Sequence, residues 1–113
     1  MAVIVTTENP TGLLDALRTA IADGKLDTWT MDQDGDLTHS PPQWVHKAWL
    51  RPKVNAGNLT FYILAPQGTT MSVSTYGIYH GRFIECLLNH FDKLFSSARA
   101  TSLPITGDIV RTA

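Results

Sequence analysis

The sequence predicts a two-layer α+β domain, with a mostly antiparallel sheet of five to seven strands covered on one face by two helices. Three observations carry that prediction. Two segments, about 10–23 and 78–95, place apolar residues at helical spacing. Several short β-branched or aromatic runs alternate at period two around Asp-Gly and Ala-Gly turns. One register sorts the flanks of the second of these turns, 45–54 and 59–65, into an apolar and a mixed face.

Residues 2–7 (Ala-Val-Ile-Val-Thr-Thr) are short and β-branched and read as a strand. Asn9-Pro10 then supplies an N-cap and a proline at the first helical position. In the helix that follows, Leu13, Leu14, Leu17, Ala20 and Ile21 share one face, and Asp15, Arg18 and Thr19 the other. Gly24 suits the position after the helix end, with Leu26 folding back over it.

Residues 28–39 read as a hairpin around Asp34-Gly35. A two-residue loop would set Leu37 beside Asp32, whereas a three-residue loop with a bulge sets it on the face of Met31; the latter is predicted. Ser40-Pro41-Pro42-Gln43 has the pattern of a capping box and predicts one short helical turn.

With Ala56-Gly57 as the next turn, Val54 faces Leu59, Pro52 faces Phe61, Leu50 faces Ile63 and Ala48 faces Ala65. The opposite face pairs Lys53 with Thr60, Arg51 with Tyr62 and Trp49 with Leu64. Pro52 lacks an N–H and predicts an edge or a kink there. Residues 70–75 alternate Met71, Val73 and Thr75 with Ser72 and Ser74 and read as a further strand.

The second helix, about 78–95, carries Phe83, Ile84, Leu87, Leu88, Phe91, Leu94 and Phe95 on an apolar arc wide enough to predict cover along most of its surface. At about 1.5–3 kcal/mol per buried side chain, this helix is the expected main source of core stability. Residues 96–101 read as a short edge strand. Periodicity is lost after Pro104, so the expected division is a single domain over 1–103 and a flexible tail over 104–113.

The chain of 113 residues fits one domain, and its 43% apolar and 17% charged content suits a core that needs no staple. The net charge of −1 weighs against a dedicated nucleic-acid binder. The single cysteine, Cys86, forms no internal disulfide. With neither a signal peptide nor an apolar run of membrane-spanning length, the expected location is the cytoplasm of a bacterial cell, away from any membrane.

Several residues stand out chemically. Asp32, Asp34 and Asp36 resemble the start of a calcium loop, but glycine falls at the fourth position instead of the sixth and Gln43 replaces the closing glutamate, so no metal is expected. Cys86 and His90 are four apart on a helix, with no third orienting group in view, so no catalytic residue is assigned. Tyr76, Tyr79, His80 and Arg82 gather near the expected start of the second helix, where two phenols, an imidazole and a guanidinium would suit an anionic small molecule; His80 falls on the apolar arc. Lys47, Trp49, Arg51, Lys53 and Tyr62 share one hairpin face, a composition that suits a protein partner. The acidic stretch 27–36 against the basic stretch 47–53 suits either a self-complementary dimer or an internal salt-linked sheet.

The run Trp29-Thr30, Asp34-Gly35-Asp36, Trp44, Lys47-Ala48-Trp49 and Arg51-Pro52, followed by Tyr79-His80-Gly81-Arg82-Phe83, resembles a small bacterial protein family of uncharacterised role. The resemblance spans about residues 27–100 and implies no activity or site. No phosphate-binding glycine loop, metal cluster or nucleophile elbow is present, and no cofactor is expected. The reading is therefore a non-enzymatic interaction or accessory protein that self-associates or binds another protein. The alternative is an anionic-ligand binder or weak enzyme at the start of the second helix.

Overall fold

In the computed structural model, which describes residues 1–110, the elements run β1 (Val3–Thr6), α1 (Pro10–Ala22), β2 (Trp29–Met31), β3 (Leu37–His39), β4 (Trp49–Asn55), β5 (Asn58–Leu64), α2 (Val73–Phe91) and β6 (Ser97–Ala100). A 3-10 turn, Asp92–Leu94, links α2 to β6. The strands form one antiparallel sheet of order β2-β3-β4-β5-β1-β6, which with the two helices gives the predicted α+β class. No helix among the described residues is long and apolar enough to cross a membrane.

The β4–β5 register matches the sequence reading: Val54 pairs with Leu59, Pro52 with Phe61, Leu50 with Ile63, Arg51 with Tyr62 and Trp49 with Leu64. Leu50, Leu59, Phe61 and Ile63 are fully buried, whereas Val54, close to the hairpin turn, is 43% exposed. β4 lies between β3 and β5 in the sheet, but Pro52 sits two residues past Leu50, which pairs with the first residue of β3, so the residue without an N–H is paired only on its β5 side. The β2–β3 register sets Met31 opposite Leu37, Thr30 opposite Thr38 and Trp29 opposite His39. The Asp32 N–H donates to the Asp36 carbonyl (2.9 Å), which closes the three-residue loop Gln33-Asp34-Gly35 with glycine at φ 83°.

Asn9 caps α1 by accepting the Gly12 N–H at 3.0 Å, and Gly24 follows its end at φ 71°. Leu13, Leu14 and Leu17 of α1 join Phe83, Leu87 and Phe91 of α2 in one core with Val3, Val5, Leu50 and Phe61. Phe83 is its hub, with its ring edge-on to Phe61 at 4.6 Å and to Trp29 at 5.2 Å.

Three expectations change. Residues 70–75 do not form a strand: Ser72 caps α2 by accepting the Thr75 N–H at 3.0 Å, and the helix begins at Val73. The seryl N-cap outweighs the short alternation, and Gly77 and Gly81 are carried inside the helix. The helix ends at Phe91 and is less covered than its wide apolar arc suggested, since Leu88 is 56% exposed, and Leu94, in the 3-10 turn that follows, is 46% exposed.

The third concerns residues 105–110, which lie along the end of β5 where β1 stops short. The Ile109 N–H donates to the Ile63 carbonyl (2.9 Å), and Met71 N–H donates to the Val110 carbonyl (2.7 Å). The Asp108 carboxylate accepts the N–H groups of Ile63 (3.1 Å) and Ile105 (2.8 Å) and meets the Met1 ammonium at 3.3 Å. The remaining part of the expected tail, residues 111–113, lies outside the described residues.

Candidate functional site

The two residue groups singled out in the sequence meet different fates. On the hairpin face, Lys53 is exposed and Trp49 is half-buried, while Lys47 is exposed in the turn segment that precedes β4. The Trp49 ring stacks on His46, centroids 6.0 Å apart and planes 20° off parallel. His46 holds the stacking position by a backbone φ of 61°, with its N–H donating to the Thr38 hydroxyl at 3.1 Å.

Arg51 on the same strand is not free. It makes a bidentate contact to Asp36, Nε to Oδ1 at 3.0 Å and a terminal nitrogen to Oδ2 at 2.8 Å. The Asp36 carboxylate is almost wholly buried beneath the exposed guanidinium. The Asp36 hydrogen bonds push the Arg51 pKa up, with further help from Asp34 and Asp32. Tyr62 is half-buried, because residues 105–110 cross that part of the sheet: a Cβ on Gly107 would fall 2.5 Å from the Tyr62 ring. The uncovered part of the face therefore centres on β4.

The second group does not assemble. Because α2 starts at Val73, Tyr79 and His80 lie well inside the helix instead of at its N-terminus. The Tyr76 hydroxyl donates to the Ser102 carbonyl (2.7 Å), and the fully buried Tyr79 hydroxyl donates to the Trp44 carbonyl. The Tyr79 oxygen also lies 3.1 Å from the Thr38 hydroxyl, which donates to the Ala48 carbonyl at 3.0 Å. This network pins the 41–48 connection to α2.

His80 is 3% exposed, packed edge-on to Tyr76 at 5.7 Å, and neither ring nitrogen has a hydrogen-bond partner. Burial lowers its pKa; the Met1 carbonyl opposes this without reaching hydrogen-bond geometry, the N-terminal ammonium lowers it further, and Asp108 raises it.

Arg82 of that group borders a cleft. A space of about 260 Å³ opens between the segment 25–29, β3 and α2, lined by Lys25, Asp27, Trp29, His39, Arg82, Glu85, Cys86 and His90 among others. Cys86 and His90 thus share a cleft, but burial pushes the Cys86 thiol up to about 11, which leaves it protonated and a poor nucleophile at neutral pH.

His39 is the cleft residue that motif reading missed. It is 1% exposed, and its Nδ1 lies 2.7 Å from the Thr28 carbonyl. Its Nε2 is buried without a protein partner, a state that costs about 1–3 kcal/mol. Burial lowers the His39 pKa first, the Thr28 carbonyl raises it, Arg82 lowers it and Glu85 raises it.

Asp32, Asp34 and Asp36 form the only group of three converging metal-type ligands among the described residues, within 4.8 Å of one another. The turn already uses them: one Asp32 oxygen accepts the N–H groups of Asp34 (2.9 Å) and Asp36 (3.0 Å), and Asp36 holds Arg51. The acidic stretch thus serves the internal salt-linked sheet through one of its carboxylates.

No family model, curated protein or solved structure matches this chain.

Proposed function

We propose that the protein is a non-enzymatic interaction protein that pairs with a second copy of itself through the outer face of β4. The observation that carries this reading is Trp49. Its ring is half-exposed, backed by His46, and set on a sheet face that lies opposite the core side of Leu50 and Ile63. A rigid indole held by a neighbour loses little entropy on docking, which is why tryptophan recurs at interface hot spots.

The charges around it support a like partner. Lys47 and Lys53 are exposed and unpaired by any salt bridge among the described residues, and Asp32 and Asp34 are exposed at the β2–β3 tip, close enough to act on Arg51. A two-fold axis through this face would set the lysines of one copy against the aspartates of the other, the self-complementarity a homodimer requires.

Light scattering tests the reading. The wild-type chain is expected to be dimeric at micromolar concentration, and Trp49→Ala to weaken the dimer by about 2 kcal/mol, roughly thirtyfold, with unchanged circular dichroism. A monomeric wild type, or a Trp49→Ala dimer of unchanged strength, would contradict it.

A further inference from the structure

The cleft beside α2 is independent of the β4 face and has its own chemistry. Its most informative atom is Nε2 of His39. The Nδ1 contact to the Thr28 carbonyl at 2.7 Å places the ring hydrogen on Nδ1, because a carbonyl only accepts. Nε2 of the neutral ring is then a lone-pair acceptor, buried and without a partner, on a residue that lines the cleft. A molecule in the cleft that partners it must bring an N–H or O–H donor.

The rest of the lining narrows the class. Arg82 and Lys25 offer cations, and Asp27 and Glu85 offer carboxylates, so the rim suits a molecule carrying both signs of charge. A second cleft of about 450 Å³ adjoins the first, sharing Lys25, Leu26 and His90. Its further lining includes Ala16 and Ala20 of α1 and Phe91 of α2, which suits an apolar tail. The first space equals the liquid volume of roughly eight or nine waters at ~30 Å³ each, enough for an amino-acid head group.

We infer that this pair of clefts binds a small α-amino acid with an apolar side chain, its amine donating to Nε2 of His39, its carboxylate on Arg82 and its side chain between α1 and α2. The amine is the N–H donor that Nε2 lacks, and Asp27 and Glu85 balance its charge. His80 has the same orphaned nitrogens but borders neither cleft, so no ligand is assigned to it.

The test is an NMR titration of the full chain that follows the His39 Nε2 nitrogen in two-bond proton–nitrogen spectra. L-phenylalanine is the probe. 3-Phenylpropionate, which lacks the amine, and phenethylamine, which lacks the carboxylate, are the comparisons. L-phenylalanine is expected to shift the Nε2 signal saturably, with both comparisons at least tenfold weaker. Arg82→Gln, at an exposed position that leaves the core intact, should weaken L-phenylalanine roughly tenfold and leave phenethylamine unchanged. Three results would each overturn the inference: an Nε2 signal that none of the probes moves, which assigns the cleft to water; L-phenylalanine binding that leaves Nε2 unmoved; or a truncated comparison that binds as well as the full probe.

Discussion

Two histidines make the stability of this fold sensitive to mild acid. His39 and His80 are 1% and 3% exposed, and burial is the largest influence holding each pKa below the ordinary 6.5. The folded chain therefore keeps both rings neutral in a range where the unfolded chain takes up protons. Stability rises with pH wherever the unfolded state binds more protons, so it must fall as pH drops below about 6.5 and continue falling until the folded pKa values are reached. Each proton contributes a slope approaching 1.4 kcal/mol per pH unit. Between pH 7 and 5.5 that amounts to at most about 1.3 kcal/mol per histidine, and at most about 2.5 kcal/mol for the two together. Urea unfolding followed by tryptophan fluorescence at stepped pH measures it, at fixed protein concentration so that assembly does not enter. His80→Leu, which replaces a buried ring with no hydrogen bond by an apolar side chain, should remove about half the slope without lowering stability at pH 7. A flat profile between pH 7 and 5.5, or folded-state histidine signals protonating at 6.5 or above for both residues, would refute the reasoning.

Two further predictions concern single contacts. Tyr79→Phe removes the hydroxyl that donates to the Trp44 carbonyl, and should cost about 1–3 kcal/mol in urea unfolding while keeping the ring packing; a loss under about 0.5 kcal/mol would show that the 41–48 connection does not depend on it. Gly107→Ala puts a Cβ 2.5 Å from the Tyr62 ring at a φ of 110°, and should cost about 1–3 kcal/mol; an unchanged midpoint would mean that residues 105–110 contribute nothing to the domain.

The parts of the fold that were legible in the sequence rest on period-two patterning reinforced by turns. Between residues 48 and 65 both faces had to be sorted by one register, so a slip would have buried Lys53 and exposed Leu50; that constraint needs no tertiary information. The start of α2 was misplaced because Met71, Val73 and Thr75 alternate like a strand, and only the Ser72 side chain, bonded to the Thr75 N–H, distinguishes the helix. Residues 105–110 carry no period at all, and their position is set by main-chain hydrogen bonds of Ile109 and Val110 together with the Asp108 carboxylate reaching main-chain N–H groups; such contacts leave no trace in a hydropathy pattern.

The candidate sites divide in the same way. Trp49 and Lys53 followed from the register, whereas the burial of Asp36 under Arg51 depends on β3 lying beside β4, one of the two arrangements that the acidic 27–36 and basic 47–53 stretches left open. His39 was missed although a signal was present: the three-residue loop that pairs Met31 with Leu37 also pairs Trp29 with His39 and so turns the imidazole toward the core. The cleft itself brings segment 25–29 against residues 82–90, and only the packed fold joins them.

The self-association of the β4 face is tested most directly by charge reversal across the proposed two-fold. Sedimentation equilibrium on Lys53→Glu, Asp34→Lys and the double variant separates a specific contact from a general charge effect, since the two changes together leave the net charge at −1. Each exposed pair contributes roughly 0.2–1 kcal/mol and occurs twice in a symmetric dimer. Each single reversal is therefore expected to weaken the dimer severalfold, to roughly tenfold, and the double variant to regain most of the wild-type affinity. Single variants that associate like the wild type, or a double variant no better than either single, would contradict the proposed interface.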